Sequence, residues 1–242
     1  NVGLMHFNET AGGRLVHAIT DIEQNRAALL DAIGALTASG DAPLAGTLYE
    51  AALYFLGRAP HFGTEDIGVD AGAYRSPIEH ACQKSAIVYL TGSDPSGDLD
   101  ATVLAPTLPG FPAAVGPACD GLGEGACLDD LAEYLYSADL DSTRDGLQNV
   151  TTHTIGFSAD APLLAETAHR GGGEHVPIED AGALTQALSD VVTGVATEGT
   201  TFVAPAVAAD AFAKTRHLND VYVAPFQPSG TLHWPGNLKK YR

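Results

Sequence analysis

At 242 residues and 25.0 kDa the chain suits one large α/β domain, or one domain with long excursions. With 45% hydrophobic and 17% charged residues it can bury a full core. A formal net charge of −18, with Lys and Arg sparse and scattered, argues against binding to DNA, RNA or an anionic membrane surface. No apolar run approaches the roughly 20 residues that a membrane-spanning helix needs. The acidity suits a solvated surface that keeps an exported or salt-adapted protein in solution.

In chain order, Val2 to Phe7 is a short apolar run and reads as a buried strand. Arg14 to Thr20 reads as a second strand, reached through a turn at Gly12 and Gly13. Asp21 can cap a helix whose apolar face is Ala28, Leu29, Ile33 and Leu36, and Gly40 ends it. Leu44 to Leu56 predicts a helix with Leu48, Ala52 and Phe55 on one face. Gly57 to Ser76 reads as a long surface excursion. Ala86 to Thr91 is a continuous apolar run ending in a Gly-Ser-Asp-Pro turn, as in a central parallel strand covered on both faces. Pro106 to Gly125 is irregular, and Leu128 to Tyr136 is a helix with Leu131 and Leu135 inward. Val150 to Phe157 is β-branched and strand-like. Pro162 to His169 is a short helix, His175 to Pro177 a brief strand, and Ile178 to Val195 an amphipathic helix. This alternation predicts an open, mostly parallel sheet with helices on both faces. Thr201 to Val207 and Val221 to Phe226 then suggest a hairpin-like β tail. The domain reading is residues 1–199 for the α/β body and 200–242 for that tail.

Few motifs carry chemistry. The nine histidines form no HExxH, and none pairs locally with Cys or Asp at metal-ligand spacing; His6 and His17 read as polar residues on sheet faces. Ser158 lies outside any GxSxG elbow, and Gly171-Gly172-Gly173 follows a helix, as a C-cap and turn does, rather than opening one. Cys119 and Cys127 bracket a short Gly-rich loop. A disulfide is favoured there over metal binding, since no CxxC and no nearby His completes a zinc set. Cys82 is left over: buried, free, or paired outside the chain. Asp94 and Asp98 follow the carboxyl end of the predicted central strand, where ligands of open α/β sheets gather. They could hold a hard divalent cation, Mg²⁺ or Ca²⁺, through oxygen ligands, or simply face solvent in an Asp-Pro turn.

Several stretches together resemble a von Willebrand factor A-type domain. They are Asn1-Val-Gly-Leu-Met-His-Phe-Asn8, Pro43-Leu-Ala-Gly-Thr-Leu-Tyr-Glu-Ala51, Ser76-Pro-Ile78 with Cys82-Gln-Lys84, and Ile87-Val-Tyr-Leu-Thr91. More narrowly the chain resembles the PilC/PilY-type family of type IV pilus assembly and tip adhesin proteins. The stretches that carry this are Cys127-Leu-Asp-Asp-Leu-Ala-Glu-Tyr-Leu-Tyr136, Gln148-Asn-Val-Thr-Thr-His-Thr-Ile-Gly-Phe157, Phe202-Val-Ala-Pro-Ala-Val207 and Trp234-Pro-Gly-Asn-Leu-Lys-Lys-Tyr-Arg242.

The resemblance implies a Rossmann-like von Willebrand A fold and export to the periplasm, outer membrane or cell surface, at the pilus tip. The role it implies is non-catalytic adhesion and pilus assembly. The implied partners are minor pilins, a surface or host ligand, and a C-terminal propeller domain beginning near the end of this chain. The family's metal-ion-dependent adhesion site uses an Asp-x-Ser-x-Ser loop, a Thr, and an Asp in a Thr-Asp-Gly turn. The first lies outside the chain, the Thr position is Ala42, and the turn reads Thr91-Gly-Ser-Asp94. The first strand and helix of the fold are expected to be missing, leaving an unfilled place in the sheet. Two other readings remain: a cytoplasmic von Willebrand A subunit serving an AAA-type ATPase, and a metal-dependent hydrolase using Asp94, Asp98 and a histidine.

Overall fold

The computed structural model describes residues 1–64, 66–81, 83–116, 119, 123–157, 162–197, 202–209, 217–226 and 239–241. The chain divides into two compact units, Asn1–Val191 and Val192–Arg242.

The first unit opens with β1 (Val2–Phe7) and β2 (Gly13–Thr20), an antiparallel pair running from Val2 opposite Thr20 to Phe7 opposite Gly13. The turn is tight because Gly12 takes φ +56°, and a side chain there would run into the Phe62 ring. Helix α1 (Ile22–Gly34) starts where expected, with the Asp21 carboxylate accepting from the Glu23 N–H at 2.9 Å. Its predicted apolar face is only partly used. Leu29 is buried, whereas Ala28, Ile33 and Leu36 are exposed and the helix stops at Gly34 rather than near Gly40.

Helix α2 (Leu44–Phe55) is the opposite case: every one of its residues is buried, not one face alone. Its sequence, LAGTLYEAALYF, is apolar on all sides except for Glu50, which is the pattern of a helix enclosed by its own domain. Leu48 and Ala52 are wholly inaccessible, so Leu48→Ala would cost about 2–5 kcal/mol.

The stretch expected to be a surface excursion holds a small hairpin, β3 (Val69–Asp70) with β4 (Ala73–Tyr74), and buries Tyr74. Next comes β5 (Ser85–Thr91), then the short helices α3 (Ala101–Leu104) and α4 (Phe111–Val115) around a 3₁₀ turn at Ala105–Thr107. Helix α5 (Leu128–Ser137) buries Leu131 and Leu135. β6 (Val150–Phe157), α6 (Pro162–Arg170), β7 (Gly172–Ile178) and α7 (Ala181–Thr197) complete the alternation. Gly171 follows α6, but Gly172 and Gly173 already belong to β7, which runs four residues longer than its predicted core.

The parallel sheet has three strands in the order β5–β6–β7, with Ser85 opposite Val150 and Phe157 opposite Ile178. This corrects the expected strand order: β6 is central and β5, the strand read as central, lies at an edge. An apolar run reports burial of its side chains and not the number of its neighbours. On one face Val150 joins the main core with Leu131 and Leu135 of α5 and Leu164 of α6. On the other, Ile155 and Ile178 meet Ala187 of α7. Helices therefore flank both faces of a three-stranded parallel sheet. Among the described residues, β1 pairs only with β2 and β5 only with β6, so each keeps one edge without a strand partner. The pair and the sheet share the main core, and the rings of Phe7 and Tyr89 lie 5.7 Å apart between them.

The second unit contains an antiparallel sheet in the order β10–β9–β8, from β8 (Phe202–Ala209), β9 (His217–Phe226) and β10 (Lys239–Tyr241). Phe202 lies opposite Phe226, and Val223 opposite Lys239.

Candidate functional site

The loop after β5 leaves the carboxyl end of the parallel sheet and crosses the start of α2. Thr91, at the end of β5, donates its hydroxyl to the Ser93 carbonyl at 3.0 Å, turning the chain sharply. Ser96 then pairs with Ala42: its N–H donates to the Ala42 carbonyl, and its Oγ accepts from the Ala42 N–H, both at 2.9 Å. Gly97 has φ +69°, and a side chain there would collide with the Thr10 carbonyl. The loop is thus pinned to the segment that introduces α2.

That pinning delivers Asp98 to the helix. Pro43 is the N-cap of α2 and offers no side-chain acceptor, leaving the first amides of the helix to be satisfied from elsewhere. The two oxygens of Asp98 do so, Oδ2 accepting from the Ala45 N–H and Oδ1 from the Gly46 N–H, each at 2.7 Å. The carboxylate also faces the positive end of the helix dipole. Asp98 is only 2% exposed. Burial pushes its pKa up from 3.8 to about 6, and the nearby Glu124 carboxylate adds to the rise, while the Gly46 and Ala45 amides oppose it. Tyr89 of β5 closes the arrangement by donating its hydroxyl to the Leu44 carbonyl at 2.7 Å. Burial, and secondarily the charge of Asp98, hold that phenol well above its ordinary pKa.

Cys119 and Cys127 are bonded, with an S–S distance of 2.00 Å and Cα atoms 4.4 Å apart. Cys127 is fully buried at the N-cap of α5. The Cys119 N–H donates to Oδ2 of Asp130 in the first turn of α5, at 2.5 Å. From the same bridged segment, Glu124 accepts the Asp98 N–H, and Gly125 sits so close to Pro95 and Leu163 that a side chain would displace both. Below it, Arg170 at the end of α6 binds Asp129 at 2.5 Å, Asp130 at 2.7 Å, and Glu133. Burial raises the pKa of Asp130, with the Cys119 amide and the Arg170 guanidinium pulling against it.

The two candidate cation ligands therefore differ in kind. Asp94 is exposed on the loop, whereas both oxygens of Asp98 are engaged by the amides of α2. Among the described residues, no three His, Cys, Asp or Glu side chains come together as a metal-binding group. Cys82 lies outside the described residues.

Histidine positions speak to the hydrolase reading. On β7, His175 Nδ1 lies 2.8 Å from Thr154 Oγ1, the nearest thing to a base–hydroxyl pair. Thr154 Oγ1 also lies 2.8 Å from the Leu164 carbonyl, and with its proton on that carbonyl the hydroxyl accepts from His175 rather than donating to it. His17 Nδ1 meets the Ala18 carbonyl at 2.8 Å, and His153 Nδ1 accepts from the Glu174 N–H at 3.2 Å.

Glu50, missed by sequence reasoning, is the most heavily bonded acid near the site. Wholly buried in α2, it accepts from the N–H groups of His61, Phe62 and Gly63 and, at 2.6 Å, from the Tyr74 hydroxyl. It closes the segment after α2 back onto the helix. The signal was present: one charge in a twelve-residue helix that is otherwise uncharged must find donors if the helix is buried. Glu124, Asp130 and Arg170 gave no comparable signal, because their partners lie in other elements. Among the described residues no helix is long and apolar enough to cross a membrane. No family model, no curated protein and no solved structure matches this chain.

Proposed function

We propose that the chain is a von Willebrand A-type docking module, non-catalytic and extracytoplasmic, acting in adhesion and assembly of a type IV pilus. It docks a protein partner or a surface through the loops at the carboxyl end of its parallel strands. The observation that carries this reading is the anchoring of the loop after β5. Residues 91–98 are tied to the start of α2 through Ala42, Ala45 and Gly46 and to the bridged segment through Glu124. A loop held from two sides leaves Gly92, Ser93 and Asp94 exposed on a fixed base, as a recognition surface requires. The pilus context comes from the sequence resemblance, and the bridge between Cys119 and Cys127 fits an oxidising compartment.

The test is genetic and direct. A strain lacking the protein should lose surface piliation and attachment, and the wild-type gene should restore both. A variant carrying Ser93→Ala and Asp94→Ala should reach the surface in normal amount, restore piliation, and fail in attachment. Wild-type piliation and attachment in the deletion strain would overturn the reading. So would protein retained in the cytoplasm with both thiols reduced, which is the outcome the AAA-partner reading expects.

A further inference from the structure

We infer that Glu124 is a latch through which the state of the Cys119–Cys127 bridge sets the order of α2's first turn. The chain of contacts is short. The bridge fixes one end of its segment at the start of α5, where Cys127 is buried and the Cys119 N–H is held by Asp130. Gly125 wedges the segment against Pro95 of the loop after β5. Glu124 then takes the backbone N–H of Asp98, and the Asp98 side chain takes the amides of Ala45 and Gly46. Pro43 gives α2 no cap of its own, so those amides depend on the position of Asp98.

The same contacts explain why a second carboxylate is tolerated so near Asp98. Glu124 is exposed, and its carboxyl group approaches a buried acid in a chain already rich in acids. Closing the segment covalently opposes that repulsion, since the bridged segment has few alternative conformations to escape into. When a dithiol such as dithiothreitol reduces the bridge, the S–S bond accepts two electrons and two protons to become two thiols. The reagent closes to its cyclic disulfide. Cys127 is fully buried and Cys119 only partly, so attack is directed to Cys119, and Cys127 departs as the thiolate and takes up a proton. Glu124 is then free to leave, Asp98 loses its backbone tether, and α2 loses the fixed position of its cap. The consequence for docking rests on the function proposed above; the latch does not.

Amide hydrogen exchange read by mass spectrometry on the full 242-residue chain tests it, using peptides covering 42–47, 92–98 and 150–157. With the bridge intact, Glu124→Ala, which removes the acceptor altogether, should speed exchange in 42–47 and 92–98 roughly tenfold, the scale of one lost hydrogen bond involving a charge, and leave 150–157 unchanged. Reduction of the wild type with dithiothreitol should speed 42–47 by more than it speeds 150–157. In E124A, reduction should move the two regions together, because the latch is already open. Wild-type exchange at 42–47 in bridged E124A would overturn the inference. Equal effects of reduction on 42–47 and 150–157 in the wild type would overturn it too, as they describe a staple for the whole fold. No partner enters the measurement, so failure of the latch and failure of the docking function are separate results.

Discussion

Replacing Asp98 with Asn probes the buried carboxylate that caps α2. In the fold its pKa is pushed from 3.8 to about 6, so between those values the native state holds a proton that the unfolded chain has released. Stability from this group is therefore full below pH 3.8 and declines as pH rises toward 6. The whole decline is about 3 kcal/mol, at 1.36 kcal/mol for each unit of pKa. Asn cannot ionise and keeps one acceptor oxygen for the α2 amides. Relative to wild type, D98N should therefore gain about 2 kcal/mol between pH 4 and pH 7, measured as the difference between two urea-unfolding series across that range. Differencing removes the other carboxylates, including Asp141, whose contacts with Thr143 and Arg144 lower its pKa and act in the opposite sense. Asp98→Ala separates charge from capping: it strands two buried amides, at about 1–3 kcal/mol each, at either pH. Parallel pH profiles for wild type and D98N would refute the reasoning and mean that Asp98 lies in a wetter setting than its 2% exposure implies.

Glu50→Ala should cost at least about 3 kcal/mol in urea unfolding, because it strands three amides and the Tyr74 hydroxyl; it should also open the 58–64 segment to limited proteolysis. Glu50→Gln, with one carbonyl left, should lose less. Because the net charge is −18, added NaCl should raise the melting temperature by screening self-repulsion, with most of the effect by about 1 M, where the Debye length is near 3 Å. A flat or falling melting temperature would mean that the surface acids do not repel one another appreciably. Reduction of the bridge should lower global stability by about 2–3 kcal/mol, as expected for closing a short segment, read as a shift in the urea midpoint.

Local pattern made most of the elements legible. Asp21 announced α1, the apolar stretch from Leu44 announced α2, and the β-branched run at Val150 announced β6. The limits fall where an element's surroundings come from far along the chain. Apolar residues of α1 such as Ile33 repeat at helical spacing yet stay exposed, because spacing describes a face and not what covers it. β5 is apolar enough for a central strand, but among the described residues it pairs on one side only. The capping contact of Asp98 is invisible to local pattern, because the amides it accepts from lie more than fifty residues earlier in the chain. The Cys119–Cys127 pair was readable because both partners and the closing glycines sit within one short segment.

Arg170 shows how thinly positive charge is spread in this chain. The chain has 12 Lys and Arg residues against 30 Asp and Glu, and one of the twelve answers to three acids on the first turns of α5. Among the described residues, no other Lys or Arg is paired with Asp129, Asp130 or Glu133. A neutral residue here would leave Asp129, Asp130 and Glu133 crowded at one helix end without their shared cation, beside the sulfur bridge. Arg170 therefore adds a polar clamp to two helices whose apolar sides already meet through Leu131, Leu135 and Leu164.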